Sequence, residues 1–219
     1  MSFLVKEINL NKWKPHEKLK VAYVPSNAIT FCLRRFMSFL VRKINLNKWK
    51  PHEKLKVADV PSDAITCCLR TSANTLSVWE ISHDEEEIII NEGILALVTG
   101  PKKKHIETIY VVLLKPEELK TRDFEIVKEE GDTCVKDLVQ NHRIILNLTY
   151  AKLGEMADII LNHIHSDNVK RRNKLYITDL IIKAIKDNRL ELNSLDEKIQ
   201  GTIICRYTML GEDVKDFFK

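Results

Sequence analysis

The alternation of apolar and polar positions divides the chain into short strands followed by a helical second half. Ser38–Ile44 (SFLVRKI) is short, apolar and β-branched, which predicts a strand. Asn45–Pro51 interrupts it, with Trp49 expected to fold back onto the core. Val60-Pro61-Ser62-Asp63 reads as a turn capping a helical turn over Ala64–Ile65, and Cys67–Leu69 as a second strand. Leu76–Ile81 is again strand-like. Ser82-His83-Asp84-Glu85 then matches a capping box, in which the Ser hydroxyl and Glu carboxylate satisfy each other's free backbone donors. The helix it opens should run to Val98, with Ile90, Ile94, Leu97 and Val98 on its apolar face, and stop at Gly100-Pro101. Ile106–Leu114 follows, apolar throughout from Ile109, as in a strand covered on both faces. Strand, helix and strand of this size predict a β-α-β unit, its parallel strands joined by a right-handed crossover. Lys115–Leu119 reads as a helical turn with Pro116 near its start, and Phe124–Lys128 as one more short strand.

From Gly131 the period changes. Asp132 or Thr133 can cap a helix reaching His165, with Val135, Val139, Leu146, Leu153, Ala157, Ile160 and Ile164 on one face. Such a helix would be roughly 48 Å long and would have to project, pair or bend near Gly154. After a polar break over Ser166–Arg172, helices are expected at Thr178–Asp187 and Leu195–Leu210, the second ending at Gly211. The fold class is therefore α/β, with α+β as the alternative: a small mixed sheet containing one β-α-β unit, then a helical C-terminal part with one long helix. The expected divisions are 1–36, 37–130 and 131–219.

The first of these divisions comes from a repeat. Residues 1–34 and 37–70 align without a gap, and 29 of 34 positions are identical, Met1 and Met37 included. The exceptions are Lys6/Arg42, Glu7/Lys43, Tyr23/Asp59, Asn27/Asp63 and Phe31/Cys67. Repeats kept for packing retain a pattern rather than whole sequence, so near-identity reads as a recent in-frame duplication. Residues 1–36 are then a surplus arm. They carry a charge of +5, which leaves −1 for residues 37–219 out of the whole-chain +4. The basic balance belongs to the extra copy, which weakens a global field for nucleic acid.

Composition narrows the classes further. At 44% hydrophobic and 30% charged the chain can bury a core and is not a disordered tail. Five Cys without CxxC spacing argue against a disulfide scaffold or zinc knuckle. No apolar run reaches 18 residues, so no membrane contact and a cytoplasmic, reducing location are expected.

Candidate chemistry is sparse. His163 and His165 point about 200° apart on a helix and His142 lies far along it, so no metal site is expected. Cys67-Cys68 lies in an apolar strand, where thiols are usually inert packing. No nucleophile elbow, zinc-protease or phosphate-loop motif occurs, so no catalytic residue and no cofactor are expected. Arg70, Thr71, Ser72 and Asn74 form a polar loop that, with Ser82, can hold an anion or phosphate. Glu107 is placed to pair with a basic partner. Lys102, Lys103 and Lys104 form one basic loop, and Lys170, Arg171, Arg172 and Lys174 another, each able to touch phosphates. Asn147-Leu148-Thr149 matches a glycosylation sequon but falls inside the expected long helix. Thr202–Lys219 either closes the helical core or presents a partner surface, with Phe217-Phe218 the pair expected to touch another chain.

The favoured expectation is a non-catalytic interaction or regulatory protein that uses its long amphipathic helix for self-association or a protein partner. A nucleic-acid-associated factor using the basic loops comes second. An enzyme or binder of a phosphorylated small molecule comes third.

Overall fold

A computed structural model describes residues 37–49, 60, 65, 69, 73–166 and 168–211, all within the unit Phe36–Lys219. The repeat copy 1–36, Cys67-Cys68, Arg70–Ser72 and Phe217-Phe218 lie outside the described residues. The elements are β1 (Met37–Ile44), α1 (Leu46–Trp49), β2 (Leu76–His83), α2 (Glu86–Val98), β3 (Ile109–Leu114), α3 (Pro116–Thr121) and β4 (Ile126–Lys128). They continue with a 3-10 turn at Lys136–Asn141, β5 (His142–Ile145), α4 (Tyr150–His165), β6 (Lys170–Arg172), α5 (Lys174–Lys186) and α6 (Glu197–Met209).

Six strands form one sheet in the order β4-β5-β2-β1-β3-β6, with every neighbouring pair antiparallel. The α/β class with a helical C-terminal part is therefore present. β2 and β3 are both antiparallel to β1, so they run parallel to each other, as the β-α-β pattern requires. They are not adjacent, because β1 lies between them. Its central place follows from its own residues, since Leu40, Val41 and Ile44 are all buried, split between the two faces.

Strand alternation sends successive side chains to two separate cores. Val41, Trp79, Ile81, Ile109, Val111 and Leu113 join α2, α5 and α6 in the first. Leu40, Ile44, Leu76, Val78, Val112, Leu114 and Ile145 join Trp49 and α4 in the second. Helices thus cover both faces, which explains why β3 reads as an unbroken apolar run. Trp49 does fold back, at 0% exposure. Leu69, expected in a strand, is helical and fully buried.

The helix starts differ from expectation. β2 extends to His83, and α2 begins at Glu86 with no side-chain cap from Glu85. His83 Nδ1 instead accepts from the Glu85 N–H at 3.0 Å, so Ser82 is a strand residue and not a cap. α2 is buried on more than one side, through Ile89, Ile90, Ile94, Leu95 and Ala96. A helix clothed all round by apolar side chains belongs in the interior. Arg189, ahead of α6, ties this layer together by pairing Glu92 of α2 (Nη1–Oε1 2.8 Å) and Asp137 (Nε–Oδ2 3.1 Å).

The single helix expected over 132–165 is replaced by a 3-10 turn, the strand β5 and the 16-residue α4. A short apolar run cannot be told from a helical face by period alone, and the open edge of β2 offers β5 a ladder. Asn147 then takes a left-handed φ of 53°, and Thr149 caps α4 by accepting from the Lys152 N–H. The Asn147–Thr149 sequon is the turn into α4, not part of a helix. β6 likewise forms inside the expected polar break, so the region after Gly131 completes the sheet as well as supplying helices. Its Lys-Arg-Arg sequence suits an edge, where charge discourages pairing with another chain. α5 and α6 form close to their expected places, capped by Asn173 and Asp196.

Candidate functional site: the groove between α5 and α6

The last two helices bury only part of themselves. α5 turns Ile177, Ile181, Ile182 and Ile185 to the first core, and α6 turns Ile199, Ile203 and Tyr207. Between their outer edges runs an open groove of about 720 Å³, lined by Leu175, Thr178, Gly201, Thr202, Cys205 and Met209. Its floor is small and apolar because α6 carries Gly201, Thr202 and Cys205 on the side facing α5. A Cβ added at Gly201 would meet no atom within 4 Å. Leu175 and Met209 are 51% and 74% exposed, and Leu210 beside them 46%. Large apolar side chains grouped this way mark a contact surface more often than scattered single ones do.

The lining of the groove also carries cations. Lys174 and Lys198 stand on opposite helices, and neither makes an ion pair among the described residues. Arg206 also lines the groove, held by Asp179 through Nε–Oδ1 at 2.8 Å and Nη2–Oδ2 at 3.0 Å. The groove thus offers apolar area together with two ammonium groups that make no ion pair among the described residues, which fits an apolar segment bearing carboxylates.

Of the residues predicted for binding, Lys174 stands on the groove, Arg70, Thr71 and Ser72 lie outside the described residues, and the others fall elsewhere. Asn74 and Ser82 sit at opposite ends of β2, roughly 26 Å apart at strand rise, so they cannot share a ligand. Asn74 accepts the Leu148 N–H on its backbone carbonyl and serves the turn into α4. Ser82 pairs across the ladder with Ser38. In the second basic cluster, Lys170 pairs Glu86 at 2.8 Å and Arg172 pairs Glu87 at 2.5 Å. Burial works to raise the Glu87 carboxyl, but hydrogen bonds from Tyr176 and Arg172 hold it below its ordinary range. Two of the four predicted phosphate contacts are thereby committed to α2. Arg171 stays exposed, and Lys174 stands on the groove. In the first cluster, Lys102 approaches Asp132 at 3.9 Å and Lys104 is exposed. Glu107 precedes β3 in an exposed loop and pairs with Lys43. Among the described residues no three His, Cys, Asp or Glu converge as a metal set requires, and no helix is long and apolar enough to cross a membrane. Met209 was legible as a possible contact residue, whereas Gly201 and Cys205 were not, since nothing in sequence says that α5 leaves this side of α6 open.

His142 sits on β5, 9% exposed, against the Trp79 ring at 5.0 Å. Burial holds its imidazole below the ordinary 6.5, with the charge of Glu129 opposing. Burial lowers His163 as well. The unfolded chain therefore takes up protons that the folded chain resists. The stability these groups provide is complete above pH about 6.5 and is lost as pH falls through the window below it. Urea midpoints measured from about pH 7.5 down to 5.5 should fall, and His142→Gln should flatten that slope. An unchanged slope in His142→Gln would mean that His142 takes up its proton equally in the folded and unfolded chain.

Comparison of the chain with family models, curated proteins and solved structures gives no match.

Proposed function

We propose that this protein is a non-catalytic interaction module that receives an apolar segment flanked by acidic side chains in the α5–α6 groove. The observation that carries the reading is the groove itself, which Leu175, Cys205 and Met209 line together with Lys174 and Lys198. The proposed setting is a reducing cytoplasm, in which the exposed Cys205 remains a thiol. This reading moves the contact surface from the expected long helix to α5 and α6, because α4 spends its apolar face on the second core.

Gly201→Leu provides the test. Added bulk there enters open space, and replacing an interior helical glycine favours the helix by about 0.5–1 kcal/mol. The variant should keep or raise the melting temperature yet lose binding of a labelled peptide with a Leu-Phe centre and Asp/Glu flanks by at least about tenfold. The same peptide with Lys flanks should bind the parent chain weakly. Equal binding by parent and Gly201→Leu, or by both peptides, would overturn the reading. So would a concentration-dependent dimer that Gly201→Leu abolishes, since the groove would then hold a second copy.

A further inference from the structure

A strand lying between β2 and β3 needs backbone partners on both edges and apolar side chains on both faces. β1 meets this by pairing β2 from Met37↔His83 to Val41↔Trp79, and β3 from Leu40↔Leu114 to Ile44↔Tyr110. Among the described residues of 37–70, the buried ones are Leu40, Val41, Ile44, Trp49, Val60 and Leu69. Each of the six recurs unchanged 36 positions earlier. Ser38, whose Oγ donates to Glu80 Oε1 at 2.9 Å, recurs as Ser2. The chain therefore holds two sequences that satisfy the same core and ladder, and β2 and β3 leave room between them for one.

What separates the copies on β1 is polar. Of the five positions that differ, 42 and 43 are on β1, and 59, 63 and 67 lie outside the described residues. Arg42 donates from Nη1 to the Ser77 carbonyl at 2.9 Å, where the first copy has Lys6. Lys43 pairs with Glu107, in the loop ahead of β3, where the first copy has Glu7. The hydrogen bond from Lys43 is the main reason that the Glu107 carboxyl stays below its ordinary range, with Lys103 and His105 contributing less. Glu7 in the place of Lys43 would set carboxylate against carboxylate and reverse the sign of the pair. An exposed pair of this kind favours its partner by at most about fivefold, and like charges oppose each other by a similar factor. Chain length tells the same way. Drawing the strand from the first copy lengthens the connector to β2 by 36 residues, roughly doubling it, which disfavours that arrangement about threefold.

We propose that the slot between β2 and β3 is a strand-binding site which both copies fit, and that the charge facing Glu107 selects Met37–Ile44 over residues 1–8. The apolar residues are identical in the two copies, so they supply affinity without preference. Specificity is a difference of affinities, and here it comes from Lys43 against Glu7, outside either core. The first copy is excluded by charge and connector length, not by shape.

Hydrogen exchange read by mass spectrometry on the full chain tells the copies apart, because peptides 1–8 and 37–44 differ at Lys6-Glu7 and Arg42-Lys43. Glu107→Lys alters neither copy, and the Glu107 side chain is 64% exposed, so the core is left intact. This variant should lower the protection of 37–44 about tenfold and raise that of 1–8 at least about twofold. Glu107→Lys/Lys43→Glu gives both copies a carboxylate facing the new ammonium, so the shorter connector should return protection to 37–44. Loss of protection at 37–44 with no gain at 1–8 would mean that Lys43 only fastens β1, and would overturn the proposal. Unchanged protection of both peptides in Glu107→Lys would overturn it too, as would a double variant that fails to restore 37–44.

Discussion

Replacing Trp49 by alanine should lower stability by about 3–5 kcal/mol, the cost of removing a large aromatic side chain from a packed interior. Trp49 is 0% exposed and belongs to the second core with Ile44, Leu69 and Leu114. It closes the single turn of α1 directly after β1, so its loss opens a cavity beside a central strand. Against a typical total of about 5–15 kcal/mol, this is a large share. Its indole Nε1 is buried without an acceptor among the described residues. Trp49→Phe removes that unsatisfied donor while keeping most of the ring volume, and should stay within about 1.5 kcal/mol of the parent. Urea denaturation followed by circular dichroism reads both. Equal losses for the two variants would show that ring volume is not what holds this core.

The second large effect is expected at Gly93, in the middle of α2. An added Cβ would lie 2.6 Å from Cβ, Cγ1 and Cγ2 of Val41, closer than packed carbons approach. Val41 is on β1, paired on both sides, so neither helix nor strand can give way locally. Gly93→Ala should therefore destabilise by about 1–3 kcal/mol, even though alanine favours a helix by about 1 kcal/mol over glycine. Gly201→Ala on α6 supplies the contrast: with open space at the same atom, it should be neutral or stabilising. Val41→Ala removes both γ-methyls, so the Val41→Ala/Gly93→Ala double variant should lose less than the two single losses added together. Strict additivity would mean that the contact between α2 and β1 is not the cause.

The candidate site divides along the same line as the fold. The apolar excess of the C-terminal segment and the cation at Lys174 can be read without coordinates, since both are properties of single residues. That Lys170 and Arg172 are already matched by Glu86 and Glu87 cannot, because the partners are more than eighty positions away.

Local chemistry alone was enough to place β1, β2, α2, β3, α3, α5 and α6 to within a few residues. Each carries its own period, stop residue or proline, and those act over one or two turns of chain. It was also enough to assign the class, since an unbroken apolar strand such as Ile109–Leu114 requires cover on both faces. Tertiary structure decided the rest. The residues from Val135 to Ile145 have a helical-looking spacing, yet the unpaired edge of β2 supplied backbone partners that a lone helix could not match, and β5 formed. Lys170–Arg172 has no strand signal at all and becomes β6 because β3 presents an open edge. β1 separates the two parallel strands of the β-α-β unit because its side chains can be buried on either face. In each case the deciding energy comes from long-range pairing or burial, which no short stretch of sequence contains.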